Sequence, residues 1–431
     1  MSAWTNWART EVAHPLGVVR PRDTAGVVEA VRDAGRRGLR VKPVGAGHSF
    51  TGAAVTDGIH LDLSLVSGLV ATRGNLVTVG GGTRLHDLNG LLAALGLAME
   101  NLGDIDRQSL AGALATGTHG TGARFGGLAT QVHSLELVLP DGEVVTAAGD
   151  KRPDLFAAIR VGLGALGVVT QVTLRCVPAF RLRAVERPGR LDDDLDALDE
   201  LFRLHDHVDL YWFPHTSRTL TKTNDKVKPD EDGAPLPRWR RIVDDELVSN
   251  TVFGVANRVG AARPSWVPGL IGAGVRLLSA REFVGASYDV FVSPRRVVFR
   301  ESEYAVPRDA VGHVVRELRS WVTAHDEPVS FPVEVRCAAA DDIWLSTAYE
   351  RDVAYVAVHQ YLRLPFERLF SAFEAIVREV RGRPHWGKLH SCTAAQLREL
   401  YPRFDDFVAL RNEVDPDRRF GNDYLTRVLG R

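Results

Sequence analysis

Pro43-Val44-Gly45-Ala46-Gly47-His48-Ser49-Phe50-Thr51-Gly52 places a single histidine inside a glycine-rich loop. Gly45 and Gly47 can take up backbone conformations closed to other residues and let a ligand come close to the main chain. Clustered amide N–H groups of this kind form a nest for anions, such as the phosphates of a cofactor. A histidine within the nest is aimed at whatever the loop holds, and a neutral imidazole is a nucleophile able to form a lasting covalent bond. The spacing alone also fits an ordinary turn, so the flanking sequence has to decide.

Upstream, Thr24 to Gly38 reads as a helix and Arg40 to Val44 as a strand leading into the loop. Downstream, Ile59-His60-Leu61-Asp62-Leu63 alternates as a strand. Leu76-Val77-Thr78-Val79 is another and runs into Gly80-Gly81-Gly82. Leu85 to Leu95 reads as a helix ended by Gly96. Leu135 to Leu139, the turn Pro140-Asp141-Gly142 and Glu143 to Val145 form a hairpin. These short elements predict an α+β fold rather than a regular βαβ series. Gly162-Leu163-Gly164-Ala165-Leu166-Gly167 matches the spacing of a dinucleotide fingerprint, which needs a strand before it and a helix after it. Here the order is reversed: Asp154 to Val161 reads as a helix and Val168 to Arg175 as a strand. A Rossmann site is excluded.

From about residue 180 the texture changes. Asp192-Asp193-Asp194 is an acidic run, and Lys226 to Arg241 is a polar, proline-containing loop. Arg238, Arg240 and Arg241 form a basic cluster within it, read as a solvated face. Strands are expected over Arg281–Arg300, Tyr304–Pro307, Pro332–Arg336 and Val353–Leu362, and helices over Asp309–Val322 and Arg368–Val380. Residues 180 to about 380 read as a second α+β domain.

The 431 residues suit two domains. With 53 basic and 54 acidic residues the formal net charge is −1, so no global field favours nucleic acid. Cys176, Cys337 and Cys392 are odd in number and far apart, which argues against a disulfide framework or a zinc site and for a reducing compartment. No apolar run is long enough for a membrane span; Trp266 to Leu278 is the longest candidate and is broken by glycine and proline. The N-terminus lacks the layout of a secretion signal, so a cytoplasmic location is expected. Only six lysines occur, so a lysine inside a motif draws notice.

A second glycine-rich block runs from Asn101-Leu102-Gly103 through Ser109 and Gly112 to Thr116-Gly117-Thr118-His119-Gly120-Thr121-Gly122. Its hydroxyls and glycines suit a diphosphate, although such residues also pack well in buried turns. Glu334 and Arg336 lie two apart on a strand, so they share a face. Lys388 sits in Pro384-His385-Trp386-Gly387-Lys388, which reads as a packed turn.

Together with Gly164-Ala165-Leu166-Gly167-Val168-Val169-Thr170, Asp415-Pro416 and Phe420-Gly421-Asn422-Asp423-Tyr424, these pieces resemble the sugar-1,4-lactone oxidoreductases of the vanillyl-alcohol-oxidase flavoprotein superfamily. That group includes the L-gulono-1,4-lactone oxidases and the alditol oxidases. The resemblance spans almost the whole chain and is strongest over 40–180 and 384–428. It implies a two-part FAD-binding domain over 1–180, an inserted α+β cap (substrate) domain over 181–383, and a C-terminal segment, 384–431, that returns to the flavin. It further implies that His48 bonds covalently to the flavin 8α carbon, within a loop of Gly45, Ala46, Gly47 and Ser49. Ser109, Gly112, Thr116, Gly117, His119 and Gly120 would run along the diphosphate and ring. Gly167 and Val169 would lie near the adenine, and Asn422 would contribute from the C-terminal segment.

The resemblance implies an enzyme that removes a hydroxyl proton and passes hydride to flavin N5, with positive charge needed near the ring. Glu334, Arg336 and Lys388 are the expected catalytic group, joined by Ser109, His359 and Tyr361. Lys388 is a candidate base if Arg336 depresses its pKa; Glu334 and a histidine are others. Tyr361, Asn101-Leu102-Gly103 and His390-Ser391-Cys392-Thr393 resemble the lactone branch, whereas Ser109 resembles the alditol branch. The expected reaction is oxidation of the C2 hydroxyl of an aldono-1,4-lactone, with O2 or another acceptor taking the electrons. Oxidation of the C1 hydroxyl of an open-chain polyol, or of a lipid-linked sugar by non-covalent FAD, are the alternatives, with a reductase holding dissociable FAD and a non-enzymatic binding module behind them.

Overall fold

The computed structural model describes residues 3–228, 234–235, 251–293 and 297–431. Three sheets carry the architecture. A parallel three-stranded sheet has Ile59–Asp62 between Gly17–Val19 and Val41–Val44. A five-stranded antiparallel sheet runs Val144–Ala148, Val132–Val138, Val168–Arg175, Leu76–Gly80, Leu69–Arg73. An eight-stranded antiparallel sheet runs Arg281–Ala286, Arg181–Arg190, Arg218–Lys226, His207–Trp212, Val333–Ala338, Val353–Tyr361, Phe299–Pro307, Arg383–Pro384.

Period-two alternation explains how the large sheet builds both a core and a site. On Val333–Ala338, Val333, Val335 and Cys337 join the main apolar core. The core-forming face packs against the amphipathic helices Leu191–Leu204, Val311–Ala324 and Glu367–Glu379. Glu334 and Arg336 point the other way. The cross-strand register places Glu334 opposite Ala357 and Glu301 opposite His359, so three strands bring their polar residues to one face. That face is covered too: all nine residues of Val353–Tyr361 are buried.

Helix ends follow local chemistry. Asp23 caps Thr24–Arg36 by accepting from the Gly26 N–H at 2.8 Å. The acidic run 192–194 occupies the first turn of Leu191–Leu204, where the helix dipole favours it. The segment 162–167 lies between a helix, Pro153–Ile159, and a strand, Val168–Arg175, the reverse of the dinucleotide-binding order.

One expected element is corrected. Arg281 to Arg300 is not a single strand: Arg281–Ala286 is followed by the helix Ser287–Phe291, and Phe299–Pro307 begins a new strand that includes Tyr304. Twenty extended residues would span roughly 66 Å, whereas the sheet's longest strand has ten residues. The chain must also leave one edge of the sheet and enter its seventh position. The cluster Arg238, Arg240 and Arg241 lies outside the described residues. Among the described residues no helix is long and apolar enough to cross a membrane.

Candidate active site

The His48 loop lines a cleft of about 1070 Å³. Gly45, Ala46, Gly47, His48 and Ser49 form one wall, Ser109, Gly112 and Thr116 another, and Gly167 and Val169 close it. The small residues are sterically required. A Cβ on Gly45 would stand 2.1 Å from Ser109 Oγ, and Gly47 has a φ of +69°. Among the described residues no acidic side chain lines the cleft, while Lys42 and His48 do. Glycine amides, hydroxyls and the absence of carboxylates fit a dinucleotide with a diphosphate.

His48 stacks on Trp7, with ring centroids 5.7 Å apart. Burial pushes its pKa down to about 4, with Arg84, Lys388 and Arg107 adding to the effect. The imidazole is therefore neutral at physiological pH. Among the described residues neither ring nitrogen has a hydrogen-bond partner.

Lys42 escaped notice in the sequence. It is 1% exposed, and Nζ donates to the carbonyls of Gly164 at 3.2 Å and Phe420 at 3.1 Å. Burial lowers its pKa to about 7, with Arg411 adding and Asp415 opposing.

A second cavity of about 500 Å³ is lined by Asp104, Gln108, His119, Glu301, Glu303, Glu334, Arg336, His385 and Lys388, among others. Gln108 lines both spaces, so the cavity adjoins the cleft. Arg336 Nη2 stands 2.5 Å from Glu334 Oε1, Nε donates to Asp209 Oδ1 at 2.8 Å, and Nη1 is 3.6 Å from Asp104 Oδ1. Burial raises the pKa of Asp209 despite Arg336.

Lys388 Nζ donates to Glu301 Oε2 and lies 3.9 Å from Glu303 Oε2. Burial works against its charge, but the two carboxylates outweigh it and raise its pKa. This corrects the expectation that Lys388 serves as a base through a pKa depressed by Arg336. Lys388 is a standing cation because Glu301 and Glu303, rather than Arg336, dominate its surroundings. Its turn is packed as expected: Trp386 is buried, its Nε1 donates to the Leu345 carbonyl, and the Gly387 carbonyl accepts from the Phe50 N–H at 2.7 Å.

His119, Glu303 and His385 bring ligand-type atoms within 4.8 Å of one another. The Gly387 N–H donates to His385 Nδ1 at 3.0 Å. Burial lowers the pKa of His385 to about 4, so the ring is neutral with its proton on Nε2 and has no lone pair left for an ion. Hydrogen bonding, not metal ligation, explains this cluster.

Several expected residues stand elsewhere. His359 lines neither space; it lies behind Glu301, with Nε2 3.4 Å from Glu301 Oε1. Tyr361 lies in an apolar cluster with Phe50, Phe299 and Phe331. Its phenol lines neither space and does not shape the substrate cavity. Gly117 and Gly120 pack behind the cleft. Asn422 caps the last helix and donates to the carbonyls of Gly52, Ala53 and Val55, bracing the loop that follows His48. Sequence reading also missed Glu301 and Glu303. Their Glu-x-Glu spacing was the available signal, the same one that identified Glu334 and Arg336. Asp209, between Val208 and Leu210, gave none.

Two family models match the chain. One for an FAD binding domain covers residues 15–148, and one for D-arabinono-1,4-lactone oxidase covers 172–428. The chain is 42% identical over 429 residues to the L-gulono-1,4-lactone dehydrogenase of Mycobacterium tuberculosis, covering 99% of each chain. It is 32% identical to the L-gulonolactone oxidase of Bos taurus over 98% of this chain and 97% of that one. It is 31% identical to the alditol oxidase of a Streptomyces species over 99% of each. The solved cholesterol oxidase from B. sterolicum shares the fold, with a TM-score of 0.82 at 20% identity over 99% of this chain and 96% of that one.

Proposed function

The chain belongs to the D-arabinono-1,4-lactone oxidase family of FAD-dependent oxidoreductases, with the vanillyl-alcohol-oxidase type of fold, and from that premise we propose that it oxidises the C2 hydroxyl of an aldono-1,4-lactone. L-gulono- or L-galactono-1,4-lactone is the substrate in this reading, and the product is of the ascorbate type. The observation that carries it is the adjacency of two spaces through Gln108: a glycine cleft without carboxylates, and a cavity rich in paired charges. FAD bound in the cleft supplies the hydride-accepting chemistry, and O2 or another acceptor takes the electrons onward.

The chain's own residues divide the remaining work. Residues 1–180 hold the cofactor, 181–383 form the substrate cap, and 384–431 return to the cleft. Gly45, Ala46, Gly47, Ser49, Ser109, Gly112 and Thr116 form the cradle. His48 is the covalent attachment residue, a role supported by its neutral ring and unengaged nitrogens. Lys388 donates to the substrate oxygen and stabilises its developing negative charge. Glu334, held at the cavity wall by Arg336, takes the hydroxyl proton.

Anaerobic titration of the flavin tests the reading. L-gulono-1,4-lactone is expected to bleach the visible band faster than xylitol. The reverse order would favour the alditol reading, which Ser109 on the cleft wall and the Streptomyces relative support. Acid precipitation tests the attachment: flavin stays in the wild-type pellet and leaves with the supernatant in His48→Ala. Glu334→Gln is expected to slow reduction by about 10²–10⁴-fold while substrate binding persists; an unchanged rate would remove Glu334 from its role.

A further inference from the structure

Glu301 and Glu303 lie two residues apart on the strand Phe299–Pro307, so their carboxylates leave the same face. They are 4% and 6% exposed. A buried carboxylate is costly unless it is paired and hydrogen-bonded, and each of these has one hydrogen bond and a second nitrogen within 3.9 Å. Glu301 takes Lys388 Nζ on Oε2 and faces His359 Nε2 at 3.4 Å with Oε1. Glu303 faces Lys388 Nζ at 3.9 Å with Oε2 and His119 Nε2 at 3.2 Å with Oε1. The outer nitrogens of both rings are fixed as well. His359 Nδ1 donates to the Pro332 carbonyl at 3.2 Å, and His119 Nδ1 donates to the Gly120 carbonyl at 2.8 Å. The result is a buried row, His359–Glu301–Lys388–Glu303–His119, tied at both ends to the main chain.

We propose that Glu301 and Glu303 are positioning residues: they hold Lys388 as a fixed ammonium at the wall of the substrate cavity, and His359 and His119 fix the two carboxylates in turn. The inference rests on the alcohol oxidation proposed above. Lys388 is faced by Glu301 and Glu303 from this strand, by Asp104 from the segment before Ser109, and by His385 from its own turn. His48 and the Phe50 ring face it from the glycine-rich loop, the ring centroid 5.3 Å from Nζ. Burial acts to raise the pKa of Glu301, yet Lys388 and His359 pull it down to about 2, so the Glu301 carboxylate beside Lys388 is ionised across physiological pH. It gives His359 a task although the ring does not reach the cavity.

The test is a double-mutant cycle on the holoenzyme. Glu301→Gln and Glu303→Gln are made in the wild-type and Lys388→Met backgrounds, and anaerobic flavin reduction by L-gulono-1,4-lactone is followed from about pH 6 to about pH 10. With Lys388 present, each Gln variant is expected to slow reduction by about tenfold or more. A basic limb is expected to move to lower pH as the amine loses its holding charge. With Met at 388, the same change is expected to alter the rate by less than about twofold. Equal losses in both backgrounds, or an unmoved limb, would overturn the proposal. Where a Gln variant sheds flavin, melting temperatures of the corresponding apoproteins carry the same cycle: coupling supports the row and additivity refutes it. If neither the lactone nor an alditol bleaches the wild-type flavin, the proposed function fails, and the melting cycle still decides the row.

Discussion

A methyl group added at Gly45 would place its carbon 2.1 Å from Ser109 Oγ and 3.2 Å from Ser109 Cβ, so the hydroxyl must turn away and the cleft wall must give by a few tenths of an ångström. Gly45→Ala is therefore expected to lower the flavin-to-protein absorbance ratio of purified protein to less than about half. Gly45→Ala with Ser109→Gly is expected to recover part of it; no recovery would mean the clash lies elsewhere. Lys42 gives a prediction with a sign. Its pKa is about 7 in the fold and about 10.4 in an unfolded chain. Between those values the unfolded state binds more protons, so stability rises with pH by up to about 1.4 kcal/mol per unit. Below pH 7 both states are charged and the contribution is flat. Urea midpoints are expected to climb from about pH 7 to about pH 9 in wild type relative to Lys42→Met. A parallel pH profile in the variant would show that Lys42 stays charged in the fold. These two residues also mark how far a local reading reaches. The His48 loop was legible because its glycines announce their own geometry. The burial of Lys42 was not, because the Phe420 carbonyl that holds it comes from 378 residues away.

Among the elements, periodicity was informative where a residue's role depends on its own strand. The spacing of Glu334 and Arg336 predicted a shared face, and both line one cavity. The same rule leaves partners unseen. Asp209, 127 residues from Arg336, joins it only through the pairing of His207–Trp212 with Val333–Ala338. Strand order likewise could not be read along the chain, and this is why Arg281 to Arg300 seemed one strand: only the sheet's layout demands the break that the helix Ser287–Phe291 makes. The last helix, Asp423–Leu429, shows an element end serving the site. Asn422 accepts from the Leu425 N–H and donates to three carbonyls between Gly52 and Val55. Asn422→Ala removes a cap and leaves buried carbonyls unpaired, at a cost of about 1–3 kcal/mol. The expected outcome is a lower denaturation midpoint together with weaker flavin retention; a lower midpoint with full retention would confine Asn422 to the helix.

At the scale of the whole molecule, the C-terminal stretch braces from behind the segments that line the cleft. The Val41 N–H bonds the Arg419 carbonyl at 2.8 Å, just before the His48 loop. Lys42 bonds the Phe420 carbonyl, and Tyr424 donates to the Trp386 carbonyl at 2.9 Å, inside the turn that carries Lys388. Phe420, Leu425, Val428 and Leu429 are each at most 1% exposed. The C-terminal stretch thus links the strand before His48, the loop after it and the Lys388 turn, which belong to sequence regions more than 300 residues apart. Removing residues 419–431 uncovers that apolar surface and frees the buried Lys42 ammonium of one of its two carbonyls. Loss of four fully buried side chains, at about 1.5–3 kcal/mol each, is comparable with the ~5–15 kcal/mol that holds a typical domain together. The truncated chain is expected to be recovered without bound flavin and without a cooperative melting transition. A truncated protein that binds FAD at wild-type stoichiometry would show that the glycine loops alone hold the cofactor, and that the return of the chain serves only the substrate side.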